Sequence, residues 1–173
     1  WLGLAAGQPD GLPIGSMSAA GPLLLAGGGH SHALILKRWA MDPTRRPARP
    51  VVLINRGSTA LYSGMVPALI AGIDPPEAAA IDLRSLCDRA GVAFIQAEIT
   101  GLDPIQRCLA LAERPPLRFG VISLNVGAIS RPTAEGMAIK PLEPALAFIA
   151  SEDPHSTNPF TVVGSGAAAM EVV

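Results

Sequence analysis

Gly27, Gly28 and Gly29, followed by His30, Ser31 and His32, are the residues of this 173-residue chain best placed to hold an anionic ligand. Glycine adopts backbone conformations closed to other residues and lets a ligand approach the main chain. Where a helix starts, unpaired backbone N–H groups and the helix dipole favour phosphate oxygens. Gly27 suits a tight turn, and Gly29 suits close approach to a pyrophosphate. A dinucleotide fingerprint would place its third glycine at position 32, where this chain has His32. Near the other end the same grammar returns in Gly164, Ser165, Gly166 and Ala169, with Glu171 two residues further on. Alanine serves for the last glycine because it still packs closely on the strand. One such motif also fits an ordinary strand–helix turn. Two of them point to two nucleotide cofactors that exchange electrons.

The flanking residues supply the elements that each loop needs. Leu23–Ala26 reads as a short buried strand, and the apolar spacing from His30 to Met41 as a helix. Asp42 to Pro50 is a proline-laden polar loop whose three arginines read as a solvated surface. Val51–Ile54 is a second strand. Its end, where the fingerprint carries an acid for the adenosine ribose, holds Asn55 and Arg56. Further on, the spacing predicts a short helix after Pro67, a surface helix over Ile81–Ala90, a strand over Val92–Ile99, a hairpin over Cys108–Phe119 and a buried strand over Val121–Leu124. A proline-started helix over Lys140–Ala150 and a strand over Phe160–Val163 complete the expectations.

The totals narrow the class. Thirteen basic residues against 14 acidic ones give a net charge of −1, which is no nucleic-acid footprint. Apolar residues make up 49% and aromatic ones 4%, so the core must be aliphatic, as in parallel strands covered on both faces. No apolar run reaches the ~20 residues of a membrane helix, so no transmembrane segment is expected, and peripheral membrane contact stays open. With no basic residue before Lys37, a secretory signal is not expected, and the two cysteines, Cys87 and Cys108, form no CxxC pair. Both observations fit reduced thiols in a cytoplasmic protein. His30 and His32, two apart on a helix, point away from each other, so no metal site is expected.

The set Gly27–His32, Tyr62–Pro67 with Leu69–Gly72, Ile81–Leu83, Ser123–Gly127 and Val162–Glu171 resembles the two-dinucleotide-binding flavoproteins, the pyridine nucleotide–disulfide oxidoreductases in the broad sense. Within them the chain is most similar to NADH dehydrogenase-like proteins, and closest to the FAD/NAD module fused in some bacteria ahead of selenide, water dikinase. The resemblance implies an α/β fold: a three-layer, Rossmann-like FAD-binding domain on a parallel sheet, then the start of a second Rossmann-like NAD(P)-binding domain. The expected division is a disordered or spurious extension over 1–21, with Met17 as the natural start; an FAD domain over 22–132; a linker with a short helix over 133–159; and the first strand and turn of a truncated NAD(P)H domain over 160–173.

By the same resemblance FAD lies on Gly27, Gly28, Gly29 and the backbone of His30, Ser31 and His32. Asn55 and Arg56 lie by the adenosine, Ala97 passes the adenine, and Asn125, Val126 and Gly127 return the chain to the flavin nucleotide. NAD(P)H docks on Gly164, Ser165, Gly166, Ala169 and Glu171. Two departures stand out. The dithiol of the disulfide reductases is missing, since Tyr62–Gly72 holds no cysteine, so a flavin-to-disulfide relay gives way to direct transfer to a small-molecule acceptor. His32 and Asn55 replace the usual glycine and acid. A side chain at 32 either pushes the helix off the strand or fills space near the phosphates, with altered or weaker FAD binding as the expected consequence. Hydride transfer between stacked rings needs no general acid or base, so no catalytic residue is expected. The alternative is a nucleotide-binding module without turnover, or an inactive truncated remnant.

Overall fold

The structure, a computed structural model, describes residues 21–70, 73–129, 136–151 and 161–164. Its centre is a parallel sheet of four strands: β1 (Leu23–Ala26), β2 (Val51–Asn55), β5 (Ala93–Gln96) and β9 (Val121–Leu124), in the order β5-β2-β1-β9. Leu23 pairs with Val51 on one side and Val121 on the other, so β1 is an interior strand. Because side chains alternate along a strand, β1 and β2 each feed two cores, whereas β9, expected as a buried strand, leaves Val121 and Leu124 exposed.

Leu25 and Leu53 face the helices α1 (His30–Met41) and α3 (Leu83–Ala90), joining Leu36, Trp39, Leu86 and Cys87. Leu24, Ala26 and Ile54 face the other way, onto Leu109, Leu111 and Phe119. Leu109 and Leu111 belong to a three-stranded antiparallel sheet, β6 (Ile99–Asp103), β7 (Cys108–Leu111) and β8 (Arg114–Arg118), and Phe119 directly follows its last strand. Helices, parallel sheet and antiparallel sheet make three layers, and the antiparallel layer is the crossover from β5 to β9. A two-stranded ribbon, β3 (Thr59–Leu61) with β4 (Ala80–Asp82), brackets the short helix α2 (Val66–Ile70). The last described helix is α4 (Leu142–Ser151).

The strand and helix around the first glycine loop fall where the sequence placed them. Elsewhere tertiary pairing redrew the boundaries. The helix expected from Ile81 starts at Leu83, because Ala80–Asp82 pairs with β3 and the Asp82 carboxylate accepts from the Ser85 amide at 3.0 Å, a helix N-cap. Gly91, at φ 64°, ends that helix in the left-handed region. The strand expected over Val92–Ile99 is two strands that break at Ala97 and Glu98, where the chain leaves the parallel sheet for the antiparallel layer. The turn expected at Leu102–Pro104 begins at Pro104, two residues later, since β6 runs through Asp103. The strand expected over Phe160–Val163 does not form in its described part: residues 161–164 lie in no helix or strand, and all four are exposed. A parallel strand needs a hydrogen-bonded neighbour, and no described strand pairs with it.

Candidate functional site

The carboxyl ends of β1 and β9 are where the strand order reverses, and ligands of open α/β sheets bind in that crevice. Both glycine-loop residues and the segment after β9 arrive there. Gly27 turns the chain out of β1 at φ 91°, and its N–H still reaches the Ile54 carbonyl at 2.8 Å. A Cβ on Gly27 would lie 2.6 Å from the Asn125 carbonyl carbon and 2.7 Å from the Val126 Cα, so both conformation and space demand glycine. One on Gly28 would strike the Leu83 side chain.

The segment after β9 is laced to the loop. The Asn125 N–H donates to the Ala26 carbonyl at 2.8 Å, and the Gly29 N–H donates to the Asn125 carbonyl at 3.2 Å. The Asn125 side-chain amide packs against Gly29 and would collide with any Cβ there. Its Nδ2 is buried and has no hydrogen-bond partner. Val126 is exposed, and Gly127, at φ 85°, has open space around it.

Helix α1 opens directly onto this cleft. Gly29 is its N-cap and supplies no side chain, the first turn holds no acid, and the first helical bond runs from the Ala33 N–H to the Gly29 carbonyl. The backbone N–H groups of His30, Ser31 and His32 therefore lack helical partners. Three unpaired amides at the positive end of a helix, next to an unpartnered buried amide, suit an anion with several oxygens. The site's two departures from the fingerprint serve the loop. His32 is 1% exposed; it fills space beneath the glycines, with Nδ1 2.7 Å from the Gly27 carbonyl oxygen and Nε2 2.9 Å from the Ser123 hydroxyl. Asn55 accepts from the Gly28 N–H at 2.8 Å and donates to the Gly57 carbonyl at 2.9 Å. Arg56 is exposed beside it. Ala97 is 9% exposed, and its N–H donates to the Asn55 carbonyl at 2.9 Å.

Two further residues stand at the site. Ser123, which the sequence marks only within the Ser123–Gly127 segment, lies on β9 two residues before Asn125. Tyr62 stacks on His30, with ring centroids 4.6 Å apart and an interplanar angle of 18°. Of the second fingerprint only Gly164 is described, and it is exposed; Ser165, Gly166, Ala169 and Glu171 lie outside the described residues. Among the described residues no group of histidines, cysteines and acids could hold a metal ion. No described helix is long and apolar enough to cross a membrane.

Burial pushes the Cys87 thiol up to about 12, with the Asp88 carboxylate adding to the effect. Such a thiol stays protonated and is no nucleophile. Cys108 sits on β7 in the antiparallel layer, so the two thiols serve different layers of the fold.

Strand order and glycine loop together define a Rossmann-like unit. Among solved structures the chain is similar to a sulfide:quinone oxidoreductase from Aquifex aeolicus, with 17% identity over 60% of this chain and 23% of that one and a TM-score of 0.50. It is also similar to a ferredoxin reductase from Rhodopseudomonas palustris, with 20% identity over 65% of this chain and 28% of that one and a TM-score of 0.52. At these identities the likeness establishes the shared fold, and the chain spans about a quarter of the length of either structure. No protein-family model and no curated protein matches the sequence.

Proposed function

We propose that this chain is the FAD-binding part of an NAD(P)H-dependent flavoprotein oxidoreductase, with the FAD diphosphate on the Gly27–His32 loop. The observation that carries the reading is the unpartnered Nδ2 of Asn125 beside the unpaired amides that open α1. A buried donor left unsatisfied costs about 1–3 kcal/mol, and a phosphate oxygen would satisfy it. Residues and ligand fit at the diphosphate: glycines where a Cβ would collide, donors and no acid. At the ribose the fit is looser, since Asn55 is already engaged by the loop.

When bound, FAD supplies the redox chemistry, accepting hydride from a reduced nicotinamide and passing electrons on. The chain's own part is to bind and orient. The amides of His30, Ser31 and His32 and the side chain of Asn125 would hold the diphosphate. Asn55 and Arg56 would lie by the adenosine, Ala97 by the adenine, and Val126 and Gly127 along the nucleotide. NAD(P)H would take the segment Gly164–Glu171. The acceptor in this reading is a small molecule other than a disulfide, because no cysteine pair stands in Tyr62–Gly72 and the Cys87 thiol is buried. Both neighbours' names, a sulfide:quinone oxidoreductase and a ferredoxin reductase, accord with a redox role. A tie to selenophosphate synthesis, through fusion to or association with selenide, water dikinase, rests on the sequence resemblance alone.

A second reading, a nucleotide-binding module without turnover, is favoured by the exposed and unpaired Thr161–Gly164. Anaerobic addition of NADH to the FAD-loaded chain separates the two. Bleaching of the flavin band supports the oxidoreductase; flavin that binds and stays oxidised supports the module.

A further inference from the structure

His32 and Asn55, the two departures from the dinucleotide fingerprint, grip opposite edges of one peptide plane. The Gly27 carbonyl oxygen lies 2.7 Å from His32 Nδ1, and the N–H of the same peptide, on Gly28, donates to Asn55 Oδ1 at 2.8 Å. A carbonyl only accepts, so Nδ1 carries the proton, and Nε2 is hydrogen-bonded to the Ser123 hydroxyl at 2.9 Å. On the far side Asn55 Nδ2 donates to the Gly57 carbonyl at 2.9 Å. The result is one continuous hydrogen-bonded line: Ser123 on β9, His32 on α1, the Gly27–Gly28 peptide after β1, Asn55 on β2, and Gly57. It crosses the carboxyl ends of three adjacent strands directly beneath the glycine loop.

Glycine-rich loops are the segments most free to reorient a peptide, since no Cβ restricts the rotation. A rotated Gly27–Gly28 plane would turn a carbonyl towards the cleft, where it would repel an anion. Neither of the fingerprint's usual residues could form the whole line. Glycine at 32 offers no donor to the carbonyl, and an ionised aspartate at 55 could accept from Gly28 but could not donate to Gly57.

We propose that His32 and Asn55 form a single clasp that fixes the Gly27–Gly28 peptide, and that both are positioning residues for the diphosphate loop, Asn55 fastening the loop in place of reading the ribose. The inference rests on the FAD reading for its ligand and on the loop geometry for its mechanism. Preorganisation of this kind lowers the ordering cost of binding.

The test takes the full chain, labelled with 15N, and measures amide exchange at Gly28 and the FAD dissociation constant in parallel. The variants are His32→Leu, which removes both bonds; Ser123→Ala, which removes only the outer one; and His32→Asn, whose amide nitrogen overlays Nδ1. Loss of a buried hydrogen bond is worth about tenfold. His32→Leu is expected to speed Gly28 exchange and weaken FAD by about that factor or more, with His32→Asn restoring most of both and Ser123→Ala showing a smaller change in the same direction. A doubly substituted His32→Leu/Asn55→Leu chain is expected to bind FAD no worse than the poorer single variant. Should His32→Leu fail to fold, Ser123→Ala decides by the same two readouts. Unchanged Gly28 exchange in the folded variants overturns the clasp, and faster exchange with unchanged FAD affinity overturns its positioning role. A wild-type chain that binds no FAD overturns the cofactor reading and with it the positioning role, while Gly28 exchange still decides whether the clasp exists.

Discussion

The side-chain amide of Asn125 occupies the space that a side chain on Gly29 would need, its Nδ2 lying 2.7 Å from the position a Cβ would take. Glycine at this position therefore serves two surfaces, the cleft in front and the chain returning from β9 behind. Gly29→Ala must displace Asn125, and with it the buried Nδ2 donor that has no partner. FAD affinity is expected to fall by about tenfold or more, the worth of a lost charge-assisted hydrogen bond. Titration followed by flavin fluorescence checks this, and affinity equal to wild type contradicts it.

Asn125 itself should show opposite signs in stability and binding. Asn125→Ala removes a buried donor that is unsatisfied in the free protein, so stability to urea is expected to hold or rise by up to about 1 kcal/mol. FAD binding is expected to weaken. Asn125→Asp places a negative charge beside the phosphates and is expected to weaken binding more than the alanine does.

The central strand should be the weak point for cavities. Leu53 on β2 is fully buried between α1, α3 and the neighbouring strands. Leu53→Ala is expected to cost about 2–5 kcal/mol of folding stability, read as a lowered urea midpoint with an unchanged slope.

The two cysteines should differ in reactivity. Cys87 is fully buried and its thiol is pushed up to about 12. In native buffer at mildly alkaline pH a thiol reagent is expected to spare Cys87 and reach it only after denaturation. Prompt modification of Cys87 in the folded chain would contradict the packing of α3.

On the acid side, Asp42 is the residue to watch. Hydrogen bonds from the Thr44 hydroxyl, first, and from Arg45 hold its carboxyl below the ordinary aspartate value of 3.8. A depressed carboxyl contributes stability above its unfolded value, and that contribution is lost as pH falls through the folded value. Asp42→Asn is therefore expected to lower the melting temperature slightly at neutral pH and to converge with wild type well below pH 3.8. The group is exposed, so the effect is small.

How much of this was legible beforehand follows from what kind of signal each residue carries. The loop from Leu23 to Met41 was readable because strand, glycines and helix are all local patterns. The β3–β4 ribbon was not, because the pairing that draws Ala80–Asp82 away from the helix is made with Thr59–Leu61, distant in sequence. At the site, the glycines announced themselves, while the role of His32 depends on a hydroxyl on Ser123 and on the peptide it shares with Asn55. Local spacing marked both residues as departures from a pattern. Only the meeting of β1, β2 and β9 shows that the departures belong together.

FAD binding on the Gly27–His32 loop is tested most directly by titration of the purified chain with FAD, followed by flavin absorption and fluorescence, with folding checked by circular dichroism. The account predicts saturable binding at one site, competed by ADP and weakened by Gly29→Ala and Asn125→Asp. A folded chain that leaves the flavin spectrum unchanged, or that binds FAD equally well with Gly29→Ala and Asn125→Asp, would contradict it.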